Sequence, residues 1–147
     1  MRLIFISLLI VLVGACRSKK EVVVVSPKPL TDVSTNKLDK VWKLVSMDGS
    51  KVAQSDFSSD IPSMTVDSKN NYFDGVDGCN MFEGEMHVQE DHIKFVPSSK
   101  TKNTCKKNSF SNKFGHLLTK DKLRYKIVET NLILYSGGIE VLRFVEF

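Results

Sequence analysis

Short runs of alternating apolar and polar residues, each ended by a turn within a few positions, constrain this chain more than any other feature. In LRYKIVE (123–129), Leu123, Tyr125 and Ile127 lie on one side of an extended backbone and Arg124 and Lys126 on the other, because successive side chains of a strand point to opposite faces. One side is therefore core and the other is wet. In KVWKLVSMDGSKV (40–52), Trp42 and Leu44 oppose Lys43, and Asp48-Gly49 is a hairpin turn. Pro62 to Asp67 is a further strand, and Ser68 to Asn71 turns the chain into Tyr72 and Phe73. Met81 to Val88 and Ile93 to Val96 are two more, reversed at Gln89-Glu90-Asp91. LILYSG follows LRYKIVE across Thr130-Asn131, and IEVLRFVEF follows Gly137-Gly138.

One segment alone carries a helical period. NSFSNKFGHLLTK places Phe110, Phe114, Leu117 and Leu118 on one stripe, with Ser109 as the expected N-cap. Gly115 in its middle costs about 1 kcal/mol relative to alanine. The expected fold is α+β: a single domain built on a curved antiparallel sheet, open and barrel-like, with one helix inserted before the last three strands. At 147 residues, 41% of them hydrophobic and 9% aromatic, the chain can bury a real core.

The first residues belong to a different pattern. MRLIFISLLIVLVGAC has one cation, Arg2, then an unbroken apolar run from Leu3 to Val13, then small residues. This is the order of a secretory signal, and the run is too short to span a bilayer. Leu12-Val13-Gly14-Ala15-Cys16 resembles the bacterial lipobox, which implies cleavage before Cys16 and diacylation and N-acylation of that residue. Residues 1–15 are thus expected to be a lipoprotein signal peptide, with the membrane held through acyl chains on Cys16, a palmitate-type anchor. Arg17 follows in place of the aspartate that retains enterobacterial lipoproteins in the inner membrane, so the expected address is the outer-membrane part of the cell envelope. Residues 16–37 contain Pro27, Pro29 and several Ser and Thr, a tether composition. Within it Val22 to Val25 is either an edge strand or an apolar patch of the linker.

With Cys16 assigned to lipid, Cys79 and Cys105 remain. An even pair in an exported protein reads as a disulfide, against two free buried thiols or a redox or metal pair. Neither C-x-x-C spacing nor a nearby histidine favours the last of these. Gly75, Gly78 and Gly84 bracket Cys79, and Asn80 suits a turn.

The segment Gly78-Cys79-Asn80-x-Phe82-x-Gly84, with Thr101-x-x-x-Cys105 downstream, resembles the paired signature of the META domain (DUF306) family, to which the heat-shock lipoprotein HslJ belongs. Trp42-x-Leu44 with Asp48-Gly49 resembles the family's opening strand, Phe114 and Leu118 its helix, and Leu132-x-Leu134 with Leu142-x-Phe144 its closing hairpin. The resemblance covers residues 38–147. Two positions depart from it: Asn103-Thr104 stands where many members have Met-Ala, and Met86 where they have Tyr, which implies altered packing near the second cysteine. The resemblance implies a compact barrel-like sheet with one helix and no enzymatic activity. It also implies links to heat shock, drug tolerance and motility, and a likeness to secretin pilot lipoproteins.

The residues themselves are consistent with a non-enzymatic reading. No nucleophile elbow, phosphate loop, dinucleotide fingerprint or zinc-protease motif occurs in the sequence. Asp67 to Asn71 has Lys69 at a position where a calcium loop needs a ligand, so it reads as a turn. His87 and His92 flank one hairpin as an exposed cross-strand pair, and no metal or other cofactor is expected. His116 lies on the helix flank with no evident partner. Asp56, Asp60, Asp67, Asp74 and Asp77 make one stretch acidic, while Lys100, Lys102, Lys106, Lys107 and Lys113 make another basic. The second is either a solvated face or a seat for an anionic ligand. Removing Arg2 with the signal lowers the formal charge from +4 to +3, and no aromatic residues interleave with the lysines, so nucleic acid is not an expected partner. Two functions remain: a monomeric, non-enzymatic envelope lipoprotein in stress response or envelope maintenance, or a pilot-like or inhibitor-like chaperone. The chaperone would hold an apolar peptide or acyl segment between the sheet and Phe110 and Phe114.

Overall fold

The computed structural model describes residues 37–105 and 109–147. The expectations for the signal peptide, Cys16, the tether with Val22 to Val25, Lys106 and Lys107 lie outside the described residues.

The elements follow in the order β1 (Val41–Met47), β2 (Ser50–Lys51), a 3-10 turn (Gln54–Asp56), β3 (Ser63–Asp67), β4 (Tyr72–Val76), β5 (Met81–Gln89), β6 (His92–Lys100), α1 (Ser109–Leu118), β7 (Leu123–Val128), β8 (Asn131–Ser136) and β9 (Ile139–Glu146). They form one nine-stranded antiparallel sheet in the order β2-β1-β3-β4-β5-β6-β7-β8-β9. β1 also pairs with β9, Trp42 opposite Glu146 and Leu44 opposite Phe144, so the sheet closes into a ring. The ring is not a regular barrel. β6 and β7 pair only at His92 with Arg124 and Ile93 with Leu123, and beyond Ile93 the two strands part.

The inner face is filled, as the alternation requires. Trp42, Leu44, Met64, Phe73, Met86, Phe95, Leu123, Leu132, Leu134, Leu142 and Phe144 are all buried, and Trp42 Nε1 donates to the Leu38 carbonyl at 2.8 Å. α1 delivers Phe114 into this interior, 6.2 Å from Phe82 and 6.2 Å from Phe144 between ring centroids. Phe82 packs on Phe73 at 5.7 Å, and Phe73 meets Phe95 edge-on at 4.9 Å. The rings thus form one continuous series of favourable aromatic contacts through the core.

Several boundaries differ from those expected. β6 runs through Pro97 to Lys100 instead of stopping at Val96. A proline cannot donate to a ladder, but Pro97 sits where the β5–β6 register shifts, opposite Gly84, and where β6 no longer pairs with β7. Ser109 is the first residue of the helix rather than its cap. On the helix stripe Ser111 is buried with Phe114, Leu117 and Leu118, whereas Phe110 is 39% exposed. Asn131 belongs to β8, so Glu129-Thr130 is the turn after β7.

Gly84 shows how tightly the β5–β6 bend is made: a Cβ there would overlap the Val96 carbonyl and Pro97 Cα. Replacement of Gly84 by alanine is expected to cost about 1–3 kcal/mol as an overpacked site, measured as a lower urea midpoint with an unchanged m-value.

Three ion-paired carboxylates contribute to stability at acid pH. Hydrogen bonds from Arg124, Lys94 and Arg143 hold Asp91, Asp121 and Glu140, respectively, below their ordinary pKa values. A carboxylate depressed in the folded state stabilises above its unfolded pKa, near 4, and that contribution disappears as pH falls through the folded value. Stability should therefore decline from about pH 4 downward, and Glu140→Gln should make the decline shallower; urea titrations at a series of pH values measure both.

Candidate functional site

The turn between β4 and β5 organises the most densely bonded polar region of the described chain. Asp77 is 1% exposed. Its Oδ1 accepts from the backbone N–H of Cys79 at 2.9 Å and of Asn80 at 2.7 Å, the way an aspartate folds the residues after it into a turn. Lys100 Nζ meets the other carboxylate oxygen at 2.6 Å, as an ion pair rather than an aligned hydrogen bond. Gly78 has φ +88° and a Cβ there would overlap the Phe57 ring. Its carbonyl accepts from the N–H of Ser58 at 3.1 Å and of Ser59 at 3.0 Å. Glycine is thus demanded twice, by the left-handed backbone and by the ring against it.

Cys79 is joined to Cys105 by a disulfide, with Cα atoms 6.0 Å apart. Asn80 bonds in two directions: its Oδ1 accepts from the Asn103 N–H at 2.7 Å, and its Nδ2 donates to Cys79 Sγ at 3.2 Å. Asn103 Nδ2 donates to the Cys79 carbonyl at 3.1 Å. Thr101 Oγ1 accepts from the Met81 N–H at 3.1 Å while the Thr101 N–H donates to the Met81 carbonyl at 3.0 Å. Cys79-Asn80 and Thr101 to Cys105 are therefore the two halves of one clasp. It ties the end of β6 to the start of β5, with Phe82 entering the core two residues later.

Beside the clasp an open crevice of about 270 Å3 lies between α1 and the β5–β6 pair, lined by Phe82, Pro97, Phe114 and Leu118 together with Asp77 and Lys100. Phe110 is not part of it. That ring packs edge-on against Phe57 at 5.9 Å, so of the two aromatic residues expected to line a helix–sheet crevice only Phe114 does.

The remaining candidates separate. His87 pairs across the ladder with Lys94, and His92 with Gln89, so the two histidines do not face each other; His92 Nδ1 lies 2.8 Å from Asp91 instead. The register explains the correction, since both histidines are exposed but stand at different rungs. Among the described residues no three His, Cys, Asp or Glu side chains converge as a metal set. Asp67 is held below its ordinary pKa by hydrogen bonds from Asn70, first from its side chain and then from its backbone, which is the behaviour of a turn. The basic stretch is divided as well: Lys100 pairs with Asp77, and Lys113 with Asp48 at 2.8 Å. Among the described residues no helix is long and apolar enough to cross a membrane.

Comparison with known proteins matches the META domain model to residues 35–146. The chain belongs to the META domain family. Solved structures agree in fold. A protein from Burkholderia xenovorans, determined by NMR, superposes with a TM-score of 0.59 at 18% identity, covering 92% of this chain and 99% of that one. A DUF4847 family protein from Bacteroides vulgatus, a crystal structure, superposes with a TM-score of 0.55 at 14% identity, covering 74% and 92%. No curated protein matches the chain.

The META signature in this chain is thus bonded inward: its carboxamide, hydroxyl and sulfur atoms contact backbone or one another. Asp77, Lys100 and Asn103 complete the clasp without having stood out in the sequence as members of it. Asp77 was detectable as an aspartate two and three residues before the amides it caps. Lys100 and Asn103 had no local signal, because their partners lie more than twenty residues away. Asn103, a departure from the family pattern, supplies two of the clasp's hydrogen bonds.

Removing the bridge with Cys79→Ala and Cys105→Ala is expected to destabilise the domain by about 3–4 kcal/mol on the chain-entropy model. Asn80→Ala should cost about 0.5–1.5 kcal/mol by removing the hydrogen bond that holds the exposed Asn103 amide. Urea unfolding of the oxidised protein measures each.

Proposed function

We propose that this META protein is a non-enzymatic, monomeric envelope lipoprotein, anchored through acylated Cys16 and serving stress response or envelope maintenance by binding rather than catalysis. The observation that carries the reading is the inward bonding of the clasp. Its one thiol pair is bridged, its carboxylate is neutralised by Lys100, and Asn80 and Thr101 bond backbone groups. The thiols are spent in a covalent bridge and the amide and hydroxyl groups in hydrogen bonds within the clasp, which supports a mechanical role for the motif. The lipobox ending at Cys16 and the Arg17 that follows support an outer-membrane anchor.

Intact and non-reducing peptide mass spectrometry of the natively expressed protein tests the address and the bridge together. The expected species begins at a triacylated Cys16 and contains a Cys79–Cys105 linked peptide. A mature chain without acyl groups would overturn the anchor. Deletion of the gene should sensitise cells to heat or detergent, with rescue by the wild-type chain but not by Cys16→Ser.

A second reading is favoured by one feature, the crevice of about 270 Å3 beside α1 with Phe82, Pro97, Phe114 and Leu118 in its walls. Small clefts with apolar walls and a few polar groups are the usual form of ligand sites. An acyl or apolar peptide segment held there would shift the amide resonances of Gly115 and Leu118 when decanoate is titrated in. Shifts confined to other faces would count against it.

A further inference from the structure

Charge is unevenly distributed over the outer surface of the ring. Backbone register aligns outward residues in rows. On one side the rows are Ser63, Val76 and Met81; Thr65, Asp74 and Glu83; and Asp67, Tyr72 and Glu85. These β3–β4–β5 rows contain four carboxylates and no cation, with Asp74 directly opposite Glu83. On the other side the rows are Lys43, Val145, Asn131 and Val128, then Ser46, Arg143, the buried Ile133 and Lys126, then Arg124, Tyr135 and Glu140, a preponderance of cations with one carboxylate. The strand order places β3–β5 and β7–β9 across the ring from each other, with β1 between β9 and β3, so that Lys43 borders both Val145 and Ser63.

The β7–β8–β9–β1 side has two further properties. Its unneutralised cations stand on aromatic rings. Lys43 Nζ lies 4.9 Å from the Phe147 ring centroid and Lys126 Nζ 5.8 Å from that of Tyr135, whereas Arg143 is matched by Glu140 and Arg124 by Asp91. It is also edged with exposed apolar groups, Phe147 at 80%, Val128 at 51% and Val41 at 39%. Phe147 lies beside Val41, because the Phe147 N–H donates to the Val41 carbonyl at 3.0 Å.

We infer that the β7–β8–β9–β1 face rests on an anionic lipid surface, with Lys43 and Lys126 toward the head groups and Phe147, Val41 and Val128 at the interface, and that the carboxylate face is turned away from the membrane. The inference rests on the lipid-anchored reading above, because a tethered domain stays near the surface and a modest attraction is enough to orient it. Basic residues near an anionic leaflet attract within about a Debye length, aromatic and aliphatic groups beside them suit the interfacial region, and the carboxylate rows repel the same surface.

The test uses the chain from residue 16 with Cys16→Ser, so that no acyl group contributes, and vesicles of pure phosphatidylglycerol or pure phosphatidylcholine at low salt. Cosedimentation should show several-fold more protein on phosphatidylglycerol, falling in high salt. Lys43→Glu with Lys126→Glu should reduce that binding by about tenfold or more, taking several-fold per basic residue. Lys69→Glu with Lys102→Glu, the same charge change at exposed positions elsewhere, should leave it within about twofold. Equal loss in both double variants would overturn the assigned face in favour of the tether or net charge, and no preference for phosphatidylglycerol would overturn the proposal altogether. All four substitutions are on the surface, and thermal melts confirm that the variants are folded. Acylated Cys16 in the mass spectrum together with absent vesicle binding would leave the anchor standing and this orientation refuted.

Discussion

The insertion of Phe114 between Phe82 and Phe144 is the contact on which the rest of this architecture depends. β6 and β7 share only two rungs, so hydrogen bonding alone leaves the ring open along most of that seam. An open seam in a small sheet would admit water to Phe73, Phe95 and Met86, all of which are buried. The helix sets Phe114 between Phe82 of β5 and Phe144 of β9 and buries the two leucines that follow it, adding apolar burial, which is non-directional and tolerates an irregular sheet. The interior is consequently filled by side chains rather than left as a ligand cavity of the kind larger barrels enclose.

The clasp serves the same seam from the other side. β6 leaves its neighbour after Ile93 and must still be held to β5 through Lys100 and beyond, across a bulge and a proline. Thr101, Asn103 and Cys105 continue the attachment past the end of the strand, using side chains where the ladder has ended. The buried carboxylate of Asp77 makes this possible by satisfying two amides of the tight turn and drawing Lys100 inward. A buried charge is tolerated only with such partners. The signature of the META family therefore fastens a split sheet here.

Much of the fold was legible in the sequence because it follows from period-2 alternation and turn chemistry. The strands around Trp42, Leu44, Tyr125 and Leu134, the hairpin turns at Asp48-Gly49 and Gly137-Gly138, and the single helix before the last three strands all carry local signals. Less legible were features set by neighbours distant in the chain. Pro97 argued for a strand end, and only its position at a bulge on an unpaired edge allowed β6 to continue. Phe110 fitted the helical stripe, yet the helix rotates so that Ser111 is covered and Phe110 meets Phe57 instead. His87 and His92 flanked one turn but fell on different rungs.

The candidate site divides along the same line. Gly78, Cys79, Asn80, Thr101 and Cys105 were visible as a motif, while Asp77 and Lys100 were visible only as members of an acidic and a basic stretch. The sequence by itself determined the faces of the longer strands, the turns at Asp48-Gly49 and Gly137-Gly138 and the single helix, since these depend on the chemistry of adjacent residues. Tertiary structure alone decided that the sheet closes through β1 and β9, that α1 sets Phe114 between Phe82 and Phe144, and that the β3–β5 rows gather carboxylates without cations. Those outcomes depend on register between strands far apart in the chain, and register follows from packing the whole interior at once.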